Sequence, residues 1–512
     1  MDAYERFAYP GYAYAATHPA RLEVVGRLFG LHPGRADEAR VLELGCGDGG
    51  NVLSLAQALP GARFVGLDAA AGGIERGAKL ARSAGIENAQ LLCLDLEDLP
   101  ADLGEFDYIL AHGVYSWIPP RVRAALLTAL RRHLAPQGIA YVSYNAYPGS
   151  YLRDMARDIL AYHVRDIADP HERLAAAQEL MRTIVAIEEP SPYARLLREH
   201  MERMLRYSDA LLLHDDLAEI ATPFYLHEFV EQAERHGLAF LAEAELSESQ
   251  MRGVPESAAQ LMQGLPDDMV VREQYLDFFK NRMFRQTLLC HGEAEVSREL
   301  DETQIEGFFV AAQLEAADEG REGDADGGED EGGNGERGEN EGSTEAPDEE
   351  TFVTPEGFTV TTSEPLVRAA LHALAEAWPA SLPFSELIPV AAAAAGSQCS
   401  EELVAARLRT VLLQAYLGRI VQLESCAPDL SVAPGERPVV STLARVQCAA
   451  GLPALSSLLH ANVRLDEESE ARLLALLDGT RSRDGLAREL GVPVEEVDAS
   501  LLRFASLGLL AA

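Results

Sequence analysis

The stretch VLELGCGDGG, residues 41–50, decides the fold. Val41–Leu44 is an apolar run of strand length. Gly45, Gly47 and Gly50 then satisfy G-x-G-x-x-G before a helical segment opens near Asn51. Glycines at such a turn permit a tight bend and let a ligand approach the main chain closely. The spacing alone also fits a nicotinamide or flavin dinucleotide, but the acids discriminate. Glu43 sits inside the strand, where dinucleotide folds carry an apolar residue, and Asp48 sits inside the loop. A pyrophosphate would be repelled by both, whereas a sulfonium with an α-ammonium group would be attracted. The segment therefore points to S-adenosylmethionine.

Outward from this loop, strand-length apolar runs recur at 40–45, 63–68, 89–95, 106–113 and 138–145. Helical segments lie between them at Asn51–Leu59, Gly72–Ser83 and Val122–His133. Such alternation predicts an α/β fold, a parallel sheet covered on both faces. The second run ends in Asp68, placed for ribose hydroxyls, and the third in Asp95-Leu96, placed for the adenine amine and ring face. A single strand-end acid is as readily an ordinary one; three of them together with Glu43 carry the cofactor reading. Residues 151–218 read as helix throughout, an insertion after the fifth strand. A helix, Gly237 and two further strands, the last at 282–292, then complete a seven-stranded Rossmann-like sheet.

At 512 residues the chain exceeds one ordinary domain. No apolar run is long enough to span a membrane, and the acidic, aromatic start lacks the pattern of a signal peptide. Six scattered cysteines without a CxxC pair read as free thiols, so a cytoplasmic protein without a metal site is expected. The net charge of −39 disfavours nucleic acid, whose binding requires neutralised phosphates, and favours a basic protein or peptide partner. Lys79 and Lys280 are the only lysines, which reads as the codon usage of an Ala- and Arg-rich genome. Residues 315–350 hold sixteen acids and two arginines, the composition of a disordered linker.

Beyond that stretch, 365–378 and 399–416 read as helices and GRIVQLES as a strand. Segments 466–477, 481–490 and 495–507 are again helical, with the punctuation of a helix–turn–helix, so tandem winged-helix-like modules are expected. The presumptive recognition helix, Val494–Leu507, carries only Arg503 against Glu495, Glu496 and Asp498. Peptide or intramolecular docking suits it better than DNA.

With YPGYAYAATHP (9–19), GVYSWIP (113–119), YNAYPG (144–149), PFYLHEF (223–229) and NRMFRQTLLCH (281–291), the glycine loop makes the chain resemble the class I S-adenosylmethionine-dependent methyltransferases. More narrowly, it is similar to the bacterial branch that carries a methyltransferase regulatory domain and includes the rickettsial outer-membrane-protein lysine methyltransferases. The resemblance covers residues 1–300. It implies a lid at 1–36, a cofactor core at 37–150, the helical insertion at 151–218 and a regulatory segment completing the sheet at 219–312. The acidic linker at 313–352 and the winged-helix-like part at 353–512 follow. It assigns cofactor contacts to Gly45, Gly47, Asp48, Asp68, Asp95, Leu96 and His112, with Tyr9, Tyr14 and His18 in the lid. Glu43 and Asn51 join them from the reading of the loop.

Methyl transfer needs donor and acceptor aligned, and a lysine acceptor must lose its proton against a reference pKa of about 10.4. An aromatic channel that desolvates the amine favours this. Tyr115, Trp117, Tyr144, Asn145 and Tyr147 follow the fourth and fifth strands and are the candidates, although each alone is better explained by packing on the inserted helices. His112-Gly113-Val114-Tyr115 stands where DNA amino-methyltransferases carry Asn/Asp-Pro-Pro-aromatic. Protein-lysine methylation is the leading expectation. The alternatives are a small-molecule or peptide natural-product methyltransferase, or a non-catalytic cofactor-binding interaction protein.

Overall fold

A computed structural model of the chain describes residues 11–317, 349–396 and 399–512. Tyr9 and most of the acidic stretch, 318–348, lie outside the described residues. The chain forms two compact units. One joins the residues up to Asp301 with Glu424–Ala512, and the other is Glu302–Leu423.

The first unit is organised by a sheet of β1 (Arg40–Leu44), β2 (Arg63–Asp68), β3 (Ala89–Cys93), β4 (Phe106–Ala111), β5 (Leu134–Asn145), β6 (Leu238–Glu243) and β7 (Phe284–His291). Their order is β3-β2-β1-β4-β5-β7-β6. The first five are parallel, and β7 runs antiparallel to both β5 and β6. Four consecutive residues of β1, Val41 to Leu44, are buried, as a strand covered on both faces requires. The order reverses between β1 and β4, and sheets of this kind bind ligands at the carboxyl ends of the strands beside that reversal. Leu44 pairs with Leu67 and Asp68 with Cys93, so the acids that end the strands meet at one edge.

Helix α1 (Pro19–Leu28) precedes the sheet, and α2 (Gly50–Ala58), α3 (Ala71–Ala84) and α4 (Pro120–His133) connect its strands. The insertion is not one helical run. It is α5 (Ser150–Val164), α6 (Pro170–Val185) and α7 (Pro192–Met204), followed by a short helical stretch, Asp209–Leu211, that widens into a π-helix at Leu212–Asp216. The breaks have a local cause: Asp169 and Ser191 cap the next helices from their side chains, and Pro170 and Pro192 occupy the first helical positions. Leu160, Leu174, Met181, Leu197 and Met201 close a core between the three helices. Each such side chain contributes roughly 1.5–3 kcal/mol on burial. α8 (Leu226–Glu234) then packs Phe229 and Val230 into the sheet's main core with Tyr144.

The C-terminal region divides differently from the tandem arrangement expected for 353–512. Its first half, with helices Pro365–Ala377, Phe384–Ala395 and Glu401–Leu417, belongs to the second unit. Its second half belongs to the unit of the sheet. That half contains α9 (Thr442–Ala449), a short hairpin of Leu455–Ser456 with Asn462–Val463, and helices Glu468–Leu476, Arg483–Leu490 and Val494–Ser506. Leu443 of α9 is buried in one cluster with Leu53 of α2 and with Ala81 and Ala84 of α3. Apolar periodicity recognises an amphipathic helix but not which surface its apolar face will cover.

Candidate functional site

The glycine loop has the backbone that its sequence demands. Gly45, Gly47 and Gly49 have φ of +74°, +60° and +78°, a region that disfavours side chains. A Cβ on Gly45 would stand 2.5 Å from Val114, whereas one on Gly47 would meet nothing within 4 Å. The loop is therefore packed beneath and open above. Asp68 fixes it: one carboxylate oxygen accepts from the Gly47 amide at 2.8 Å, the other from Ala70 at 2.8 Å. Asp48 accepts from the Gly50 amide at 3.1 Å.

The loop region is acidic and short of water. Glu43 is 4% exposed, and burial, helped by Asp68 and Asp48, pushes its carboxyl up to about 8. Burial also raises Asp48, against the pull of the Gly50 amide. His112 stands opposite. Burial drives its pKa down to about 3, so the ring is neutral at neutral pH and adds no positive charge beside a cationic ligand. Its Nδ1 lies 2.8 Å from the Tyr141 hydroxyl, and its ring stacks on Tyr14 with centroids 3.7 Å apart. The Gly113 amide donates to Ser143 at 2.8 Å. Among the described residues no group of His, Cys, Asp and Glu is arranged to hold a metal ion.

Asn51 joins these parts. Its Nδ2 donates to Glu43 at 3.2 Å and to Thr17 at 3.1 Å, and its Oδ1 accepts from the Tyr14 amide at 2.9 Å. Its side-chain amide thus ties Glu43 to the Gly11–Tyr14 segment. His18 lies at the start of α1. Its Nδ1 accepts from Ala20 at 3.2 Å, capping α1, and its ring is buried beside His460. Asp95 is exposed and accepts from the Glu97 amide at 2.9 Å, while Leu96 is half-buried against the main core. The open loop above Gly47, the acids and the neutral His112 fit a nucleoside carrying a sulfonium and an ammonium group.

Of the five aromatic-channel candidates, two are core residues. Tyr115 is fully buried, edge-on to Phe229 at 5.1 Å, and donates to Gln232 at 3.0 Å. Tyr144 stacks on Phe229 at 4.3 Å and its hydroxyl lies 3.1 Å from that of Thr287. The reason is strand parity: alternate residues of β5 face opposite sides, so Tyr144 points away from Tyr141, Ser143 and Asn145. Asn145 is buried, and its main-chain N–H donates to the Ser116 hydroxyl at 2.9 Å. The guanidinium groups of Arg153 and Arg157 lie 5.7 and 5.8 Å from the Trp117 ring.

Tyr147, like Trp117, is half-buried. Its hydroxyl donates to Asp154 at 2.9 Å, and its ring stacks on Tyr151 at 4.2 Å. The hydroxyls of Tyr151 and Tyr225 are 3.1 Å apart, and the Phe278 ring meets Tyr225 edge-on at 6.0 Å. Tyr151 is 53% and Phe278 44% exposed. Sequence reading missed Tyr141, Ser143, Asp154, Tyr151 and Tyr225. The period-two spacing of Tyr141, Ser143 and Asn145 was a usable signal, and Tyr225 stood within PFYLHEF. A cleft lined by Arg131, Leu134, Gln137 and His291 lies at the start of β5, the edge opposite the loop.

Comparison with known proteins agrees with this geometry. Residues 41–138 match a methyltransferase domain, 208–291 a predicted methyltransferase regulatory domain, and 436–504 the C-terminal winged helix domain of PKMT. An uncharacterized protein of Rickettsia prowazekii is 37% identical over 235 residues, 46% of this chain and 94% of its own. Another from the same organism is 34% identical over 311 residues, 60% of this chain but only 56% of its own length. The solved structure of PKMT2 from Rickettsia typhi superposes with a TM-score of 0.82 at 27% identity, covering 98% of this chain and 100% of PKMT2. PKMT2 has also been solved in complex with AdoHcy.

The chain belongs to the class I S-adenosylmethionine-dependent methyltransferases that carry a methyltransferase regulatory domain. Among the described residues no helix is long and apolar enough to cross a membrane.

Proposed function

We propose that this methyltransferase acts on lysine side chains of a protein acceptor. The observation that carries the reading is the aromatic and acidic rim of Tyr147, Tyr151, Tyr225 and Asp154 beyond the end of β5. The faces of exposed aromatic rings attract an ammonium group, by roughly 0.5–1 kcal/mol each, and a carboxylate adds to the attraction. Likeness to PKMT2 over nearly the whole chain supports the same reading.

When bound, S-adenosylmethionine supplies an electrophilic methyl group on a cationic sulfur. The chain's residues do the rest. Gly47 leaves room for the ligand at the main chain, Gly45 lets the loop pack on Val114, and Glu43 and Asp48 attract the ligand's positive groups. Asp68, with lone pairs left beyond its two amide bonds, takes the ribose hydroxyls; Leu96 and Asp95 take the adenine. Tyr14 and His112 form an uncharged aromatic wall. Tyr147, held by Asp154, guides the amine to the end of β5. Desolvation among the rings favours the neutral amine, which alone can attack. The new N–C bond forms as the C–S bond breaks, and the amine proton passes to solvent.

The test is to incubate the enzyme and isotope-labelled S-adenosylmethionine with a bacterial lysate, and in parallel with the same lysate after chemical blocking of lysines. Label should appear on lysine Nζ of proteins and vanish after blocking. Label persisting on carboxylates or confined to small molecules would refute the reading.

A further inference from the structure

The segment Gly11–Tyr14 lies against the glycine loop without helix or strand of its own. Backbone meets backbone here: a Cβ on Gly50 would stand 2.5 Å from the Cα of Gly11, and one on Gly11 2.1 Å from Asp48 Oδ1. A buried coil must have its polar main-chain groups satisfied from elsewhere. Tyr14 obtains its partner from Asn51. Ala13, 3% exposed, obtains both of its partners from a side chain 449 residues away. Asn462 Oδ1 accepts from the Ala13 amide at 2.9 Å, and Asn462 Nδ2 donates to the Ala13 carbonyl at 2.7 Å.

Asn462 is held rigidly for this task. It starts the second strand of the hairpin, pairing with Ser456. The turn before it bends back at His460, whose φ is +53°. His460 is fully buried, and its Nδ1 lies 2.8 Å from the Ser54 hydroxyl of α2. The Leu443 amide donates to Gln57 of the same helix at 2.9 Å. The hairpin is thereby clamped to the helix that grows out of the glycine loop, and from there it reaches the segment lying over that loop.

We infer that Asn462 is a positioning residue of the cofactor site, so that the C-terminal winged-helix module completes a lid made by the other end of the chain. With the Ala13 main chain pinned, Tyr14 is held stacked on His112, and the wall at the open side of Gly47 is formed before ligand arrives. Without it the segment must be ordered by the ligand, and that ordering is subtracted from the binding free energy.

The test uses Asn462→Ala in the full-length chain. Calorimetric affinity for S-adenosylhomocysteine should fall about tenfold, the equivalent of about 1.4 kcal/mol. The amides of Ala13 and Tyr14 should exchange hydrogen faster, while those of β1 and β4 do not change. In labelling of lysate protein, the apparent KM for S-adenosylmethionine should rise with little change in the limiting rate. Arg503→Ala breaks the ion pairs to Asp466 and Glu470 in the same module and should leave all three readouts unchanged. Should Asn462→Ala fail to fold, Asn462→Asp keeps the acceptor for the Ala13 amide but sets a second acceptor against its carbonyl. It should weaken binding in the same way. Wild-type affinity in an Asn462 variant would overturn the inference, as would an equal loss in Arg503→Ala. A wild-type chain that fails to bind S-adenosylhomocysteine would instead contradict the cofactor assignment itself.

Discussion

The cofactor side and the proposed acceptor side of this site are built in different ways. Around the glycine loop, polar side chains are occupied with main-chain amides: Asp68 with Gly47 and Ala70, Asp48 with Gly50, Asn51 with Tyr14. Their positions follow from the sheet edge and cannot shift without breaking it. Beyond β5, the surface consists of the side chains of Tyr147, of Tyr151 and Asp154 on α5, and of Tyr225 just before α8, joined by side-chain hydrogen bonds. A rigid, main-chain site suits one invariant ligand. A surface of side chains on an insertion can be altered to suit an acceptor without disturbing the sheet.

The difference can be broken most severely at Asp68. Asp68→Ala leaves two loop amides without their acceptor, at a cost of roughly 1–3 kcal/mol. Calorimetry should show S-adenosylhomocysteine binding weakened by about tenfold to a hundredfold. Affinity within twofold of wild type would show that the loop holds its shape without that carboxylate.

Glu43 sharpens the comparison through pH. Its carboxyl, raised to about 8, is largely protonated in the free protein at pH 7, and a bound cation favours the ionised form. S-adenosylmethionine should therefore bind more tightly at pH 8 than at pH 6, with a proton release that shows as a binding heat differing between buffers of different ionisation enthalpy. Glu43→Gln should abolish that slope and weaken binding about tenfold at pH 8. Stability of the free protein runs the opposite way. A carboxyl raised in the folded state is stabilising while protonated, so its contribution fades as pH rises from about 4.5 to about 8. The fall in Tm over that window should be shallower in Glu43→Gln, and an unchanged slope would contradict the assignment.

The cofactor side was legible in the sequence because it is local. A strand, three glycines and an acid are contiguous, and the ends of β2 and β3 announce Asp68 and Asp95. The acceptor side was legible in part. Tyr147 follows β5 directly, but Tyr115 and Tyr144 were indistinguishable from it until strand parity and the position of α8 placed them in the core. The breaks in the insertion were written in Asp169-Pro170 and Ser191-Pro192, where cap and proline outweigh apolar periodicity. The joining of the C-terminal module to α2 and α3 was not legible, since pairs such as Ala13 with Asn462 and Ser54 with His460 are separated by more than 400 residues.

The most direct test of the central claim measures both sides in one variant, Tyr147→Ala. Loss of that ring removes one cation-attracting face, worth roughly 0.5–1 kcal/mol. The account predicts S-adenosylhomocysteine affinity within twofold of wild type, while methyl transfer to lysine in lysate protein falls by about twofold to fivefold. Cofactor affinity and transfer falling together would contradict it, because Tyr147 would then belong to the cofactor side and the site would not divide as described.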